Sequence, residues 1–290
     1  MNDFIVILFY KFINISNPES FVIAHKEKCK ELGILGRMIV AEEGINGTFE
    51  GNRESIEAYK DFLKKDPAFS DMPIKESLGN GKAFTRLSIK VRDEVVKLGA
   101  GKFDIKKETA TELSSQDLEK WYENNEDFVV LDLRNDYEIA SGKFERTIDP
   151  KLSNFRDLPG KIAELSKIKD KKIVAVCTGG IRCEKATCLL KGSGFSNLYQ
   201  LKDGIHTYMK EYPGKNFKGT LFVFDNRMTT DVEKIPNKTI IGKCLFCSKE
   251  TENYCSDDST RPSKKILCCD ACFLKNKNHL RESTTNSNLN

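Results

Sequence analysis

The sequence predicts a protein of mixed class, an α+β sandwich followed by an α/β domain with a parallel sheet and then a cysteine-rich extension. Three observations carry that prediction. Apolar runs and helical patterns follow one another in the order βαββαβ over residues 1–98. Near-continuous apolar strands alternate with helices over 117–212, as buried parallel strands do. Six of the ten cysteines fall between Cys244 and Cys272, inside the final part, 213–290.

The elements follow in order. Phe4–Ile13 reads as a first strand, and Asn17-Pro18-Glu19-Ser20 opens a helix that ends near Gly33. Arg37–Ala41 and Gly47–Phe49 read as strands joined through Glu42–Asn46, with Asn46-Gly47 as a hairpin-turn signal. Asn52–Leu63 reads as a second helix and Phe84–Val96 as a final strand, which completes a ferredoxin-like or acylphosphatase-like sandwich. A linker rich in Lys, Thr and Ser is expected over 99–116. Phe128–Leu133, Ile173–Val176 and Leu198–Leu201 are the strands of the second domain. A short strand, Leu221–Phe224, leads into the cysteine cluster, and the polar stretch Ser283–Asn290 reads as disordered.

Composition narrows the function classes. The 47 basic and 43 acidic residues nearly cancel, so a polyanionic partner must be met by a local basic surface. Phe4–Tyr10 is too short for a secretory signal and lacks preceding basic residues. No apolar stretch approaches the roughly 20 residues that span a bilayer, so no membrane partner is expected. Ten cysteines in such a chain point to thiol or metal chemistry in the cytoplasm rather than to disulfides.

The chemistry centres on Cys177-Thr-Gly-Gly-Ile-Arg182, between the apolar run Ile173–Val176 and a helical pattern with Ala186, Leu189 and Leu190 on one face. A thiolate forms readily there, because backbone N–H groups and a helix N-terminus converge on it. The loop is C-x4-R, one residue shorter than the C-x5-R ring that wraps a phosphate, and Cys183 occupies the next position. A ring of this size suits a smaller group such as a persulfide sulfur, with Arg182 stabilising the anion and the Gly179 and Gly180 amides close by. Cys183 borders the loop, where it can resolve an oxidised Cys177, and Cys188 reads as a buried helix residue. Asp132-Leu-Arg134 ends a strand and Tyr137-Glu138 follows, on the side of a parallel sheet where ligands bind. An ion pair or helix cap is the favoured reading there.

Two further surfaces stand out. The predicted strand Phe84–Val96 sets Arg86, Ser88, Lys90 and Arg92 on one face, a row of cations that suits successive phosphates. Cys244-x2-Cys247 and Cys269-x2-Cys272, 21 residues apart, have the spacing of a structural zinc site, with Cys255 and Cys268 as spare thiols or substitute ligands.

Several of these segments resemble a known family. Asp132–Glu138, Cys177–Ala186 and Tyr199–Gly204 resemble a rhodanese domain. The extended form CTGGIRCEKA, with Leu35–Thr48, Arg86–Arg92 and Phe222–Arg227, is similar to the bacterial tRNA uridine(34) hydroxylases, rhodanese-domain proteins. The resemblance runs from about Phe4 to Cys272. It implies a cytoplasmic oxidoreductase that hydroxylates carbon 5 of the wobble uridine of tRNA, with molecular oxygen as co-substrate and no flavin or haem. It places the essential cysteine at Cys177, for which attack on carbon 6 of uracil, or a peroxide or sulfenic species on the sulfur, would be the chemistry. Lys143 stands where rhodanese relatives commonly carry a histidine, and Arg146-Thr147 replaces a small pair. The loop alone would equally suit a sulfurtransferase that forms a persulfide on Cys177. The N-terminal unit and the zinc-type tail favour the hydroxylase, since a minimal sulfurtransferase needs neither.

Overall fold

A computed structural model describes residues 3–235 and 238–282. The chain divides between Lys97 and Leu98 into two compact units.

The first unit contains β1 (Phe4–Phe12), α1 (Pro18–Glu31), β2 (Leu35–Ala41), β3 (Gly44–Asn52), α2 (Arg53–Lys64), β4 (Ile74–Leu78) and β5 (Leu87–Val91). Asn17 and Asn52 cap the two helices by accepting the N–H groups of Ser20 and Ser55. The strand order β4-β1-β3-β2 is the ferredoxin-like arrangement, and β5 extends it parallel to β2. The fourth strand of the sandwich is therefore Ile74–Leu78, not the expected Phe84–Val96. Lys75, Glu76 and Ser77 break its apolar pattern, although Lys75 is buried with its ammonium 5.5 Å from the Tyr10 ring. The later strand is also shorter than expected, because Glu50 accepts the N–H groups of Asn80, Gly81 and Ala83 at 2.7–3.0 Å and ties that stretch into a turn.

Asn46-Gly47 is not a hairpin tip. The turn falls at Glu42-Glu43, and both residues lie inside β3. The Asn46 amide donates to the Val95 carbonyl at 3.0 Å, and Gly47 lies under the Phe9 ring, where a Cβ would come within 2.5 Å.

The second unit begins with α3 (Ile105–Glu108), β6 (Thr111–Leu113), α4 (Ser115–Glu123), β7 (Val129–Asp132), α5 (Asp136–Ile139), β8 (Gly142–Phe144), β9 (Thr147–Ile148) and α6 (Ile162–Leu165). Next come β10 (Ile173–Val176), α7 (Ile181–Gly192), β11 (Leu198–Leu201) and α8 (Gly204–Glu211). The sheet order is β6-β11-β10-β7-β9, parallel throughout. Thr111–Leu113, within the stretch read as a linker, is its edge strand; three residues among Lys, Thr and Ser are too few for a period to show. The central strand β10 is wholly buried, which is why it reads as an unbroken apolar run.

The extension adds β12 (Phe217–Gly219), paired with β8, and the hairpin β13 (Leu221–Phe222) with β14 (Thr229–Thr230). The expected strand Leu221–Phe224 thus stops at Phe222. A three-stranded lobe follows, from β15 (Tyr254–Asp257), β16 (Lys264–Leu267), α9 (Asp270–Lys275) and β17 (Leu280–Glu282). Ser283–Asn290 lies outside the described residues. Among the described residues no helix is long and apolar enough to cross a membrane.

Candidate active site and cysteine cluster

Strand β10 delivers Cys177 to the C-terminal edge of the parallel sheet, and α7 starts four residues later, at Ile181. Gly180 makes the turn in the left-handed region, at φ +103°, a conformation glycine adopts without a Cβ clash. Its N–H donates to Cys177 Sγ at 3.2 Å. The start of α8 closes the loop from the other side, with Ile205 and His206 N–H groups donating to the Cys177 and Thr178 carbonyls at 3.0 Å. Gly204 permits this approach, since a Cβ there would lie 2.6 Å from the Gly180 nitrogen.

Cys177 has no exposed surface, and burial alone would push its thiol up. A hydrogen bond from the Cys183 thiol, the Arg182 charge, and the backbone N–H groups of Cys183 and Arg182 outweigh burial and bring it down to about 6. Cys183 itself is pushed well above the ordinary thiol value, by burial and then by Cys177. It is thus a proton donor to the thiolate. Cys188 is buried, and burial raises its thiol to about 12.

Arg182 is 7% exposed and makes a two-pronged pair with Glu138, at 2.6 and 2.9 Å, while one nitrogen also reaches Thr178 Oγ1 at 3.2 Å. Glu138 in turn accepts the Asn135 N–H at 2.9 Å at the start of α5. Beside it, Arg134 and Asp132 form a second, fully buried pair at 2.6 Å, and Arg134 also donates to the Gly142 carbonyl at 2.7 Å. The Asp132–Glu138 segment is therefore both ion pair and helix cap, and it also grips the arginine of the cysteine loop. Glu138 lies 44 residues from Arg182 in the chain, and no local pattern signals that pairing.

The extension reaches this site through aromatic rings. Tyr254 Oη donates to the Tyr137 carbonyl at 2.5 Å, and the Phe222 ring packs on Tyr137 and Tyr254 at 5.3 and 5.1 Å. Within the lobe, Cys244 and Cys247 flank a tight turn, Cys269 caps α9 and Cys272 sits in its first turn. Their four sulfurs all lie within 4.8 Å of one another. Cys255 and Cys268 stand outside that set, buried in the cluster behind it.

In the first unit Arg86, Lys90 and Arg92 are exposed on one side of β5 and its ends, opposite buried Ile89. Arg37, paired in register with Ser88, adds a fourth cation to that face. It is a residue that reading single strands in isolation does not find.

The low thiol gives a pH dependence of stability. Folding lowers the Cys177 pKa from 9.0 to about 6, so its contribution is full above pH 9 and is lost as pH falls to 6. Stability is expected to rise between pH 6 and 9 by at most about 4 kcal/mol. Chemical denaturation across that range checks it, and a Cys177→Ser variant with the same rise would exclude this cysteine as the source.

Fold and loop together define a rhodanese-type protein carrying an acylphosphatase-like unit before the rhodanese domain and a cysteine lobe after it. Family comparison agrees segment by segment. Residues 4–95 match the UPF0176 acylphosphatase like domain, 114–211 the rhodanese-like domain and 218–283 the rhodanase C-terminal region. The tRNA uridine(34) hydroxylase of Cytophaga hutchinsonii is 37% identical over 95% of this chain and 88% of its own length. That of onion yellows phytoplasma is 38% identical over 96% and 94%, and that of Staphylococcus carnosus 37% over 95% and 92%. The chain belongs to the tRNA uridine(34) hydroxylase family.

Proposed function

We infer that this protein hydroxylates the wobble uridine of tRNA, the activity for which its relatives are named. The observation that carries this inference is the Cys177 sulfur, at the strand-to-helix loop with the Gly180 N–H donating to it at 3.2 Å, in a chain that matches those relatives across both units. The substrate atom is carbon 5 of uracil and the oxidant is molecular oxygen. Addition of the Cys177 thiolate to carbon 6 makes carbon 5 nucleophilic toward oxygen. Loss of the carbon 5 proton and of the sulfur restores the ring. One oxygen atom enters the uridine and the other leaves as water, with two electrons drawn from a donor. Arg182, Cys183 and the loop amides keep the sulfur anionic until the base arrives. Action on tRNA supports the reading of a cytoplasmic protein. The cation face of Arg37, Arg86, Lys90 and Arg92 suits phosphates of that RNA.

The lobe fits a structural zinc ion. Zinc bound tetrahedrally by thiolates at about 2.3 Å needs sulfurs roughly 3.8 Å apart, and those of Cys247 and Cys269 are 3.6 Å apart. Cys244, Cys247, Cys269 and Cys272 would hold it, and its chemistry there is to tie the lobe together.

Mass spectrometry of tRNA nucleosides from cells lacking the protein tests the assignment. We expect 5-hydroxyuridine and nucleosides derived from it to fall, to return with the wild-type chain, and to stay absent with Cys177→Ser. Unchanged nucleosides with lost thiosulfate sulfurtransferase activity would move the assignment to sulfur transfer.

A further inference from the structure

Only a few large apolar side chains are left exposed among the described residues, and one of them, Phe224, stands at the cysteine loop. The residue is 44% exposed, and its ring centroid lies 5.8 Å from the Arg182 guanidinium carbon. Arg182 touches Thr178 and contributes to holding the Cys177 thiolate, so Phe224 stands one side chain from the reacting sulfur's cradle. The ring is fixed there. Phe222 packs edge-on against it at 5.3 Å. The turn that carries it is pinned by the Asp225–Arg227 ion pair at 2.6 Å, and by the Val223 N–H to Met228 carbonyl and Met228 N–H to Asp225 carbonyl bonds at 2.8 and 3.0 Å. Contacts with Phe222 and Arg182 hold the ring on one side, but much of it stays open to water beside a buried nucleophile. Such a ring suits a base, because unstacked RNA bases are gripped by aromatic faces.

We propose that Phe224 is the platform on which the target uracil stacks when it leaves the anticodon loop to meet Cys177. This rests on the wobble-uridine assignment. Phe224 positions the base and takes no part in bond making.

The test uses an anticodon stem-loop RNA with uridine at position 34 and the same RNA with an abasic site there. Binding is measured on full-length protein carrying Cys177→Ser, so that it does not depend on turnover. Phe224→Leu, which keeps an apolar cover over Arg182, is expected to weaken uridine RNA by about 10-fold, within the range for losing one base–aromatic stack. Phe224→Trp is expected to restore binding, and the abasic RNA to bind wild type and Phe224→Leu alike. In active protein, Phe224→Leu should raise KM while the Cys177 titration stays in place. Equal uridine-RNA affinity for Phe224→Leu and wild type would overturn the proposal. So would an equal loss on both RNAs, which marks a general surface effect, or a shifted Cys177 titration, which marks a shield for Arg182. Absence of hydroxylated product from wild-type protein would instead reject the underlying assignment.

Discussion

Exchanging Arg182 for glutamine is expected to raise the Cys177 thiol from about 6 part of the way toward its ordinary 9.0 and to destabilise the fold by about 3–5 kcal/mol. Two effects of one charge are being removed. The guanidinium favours the thiolate, but the Cys183 thiol and the loop amides remain, so the pKa stops short of the unperturbed value. The stability loss comes from Glu138, which is fully buried and is left without its cation. The double variant Arg182→Gln/Glu138→Gln separates them. Two amides leave no stranded charge, so most of the stability should return while the thiol stays raised. Thiolate absorbance against pH, with Cys177→Ser as the blank, reads the first effect, and denaturant unfolding the second. A thiol still at 6 in the single variant would show that the cysteine pair and the amides suffice alone.

Withdrawing the zinc proposed for the lobe is expected to give the second large effect. The buried cluster of the lobe consists of Cys244, Cys255, Cys268, Cys269, Cys272 and Leu280, so five of its six members are cysteines. Such a core removes little hydrocarbon from water, and small domains of this kind depend on a metal or disulfides. Thiolate zinc sites contribute on the order of 10 kcal/mol of folding free energy. Chelation is therefore expected to unfold β15–β17 and α9 while β10 and its neighbours persist. Metal analysis should find about one zinc per chain, and amide exchange should become fast in the lobe alone after chelation. A lobe that stays protected without metal, or protein purified without zinc, would reject the site.

What the sequence made legible was whatever a short stretch of chain decides for itself. An unbroken apolar run followed by two glycines and an arginine can be placed on a strand end and a helix start without knowing its neighbours. The Cys-x2-Cys units likewise announce that their sulfurs belong together. What stayed hidden was decided by pairing. Glu138 and Arg182 meet because β7 and β10 are parallel neighbours with Asp132 opposite Val176. Read locally, each is an ordinary charged residue. Arg37 joins Arg86 and Lys90 only through the β2–β5 register. Ile74–Leu78 was missed because the aliphatic stem of Lys75 is buried under a polar letter. Asn46-Gly47 misled because the dipeptide's turn preference was overridden by strand pairing along the whole of β1 and β3. Phe224 sits just beyond the end of β13, and reading Leu221–Phe224 as one strand makes it ordinary packing.

The paired charges around the loop also select what can enter it. Asp132 with Arg134 and Glu138 with Arg182 are two anions and two cations, all buried, and they sum to zero. Once Cys177 ionises, these five groups together carry one net negative charge. Arg182 is shared between Glu138 and the Cys177 thiolate, so one cation already faces two anions. An uncharged pyrimidine ring adds no charge to that set, whereas a dianion such as thiosulfate or phosphate is expected to add to an excess of negative charge. Added sulfate or thiosulfate should accordingly inhibit feebly once ionic strength is held constant. Glu138 thus takes up part of the charge that Arg182 would otherwise offer to an incoming anion.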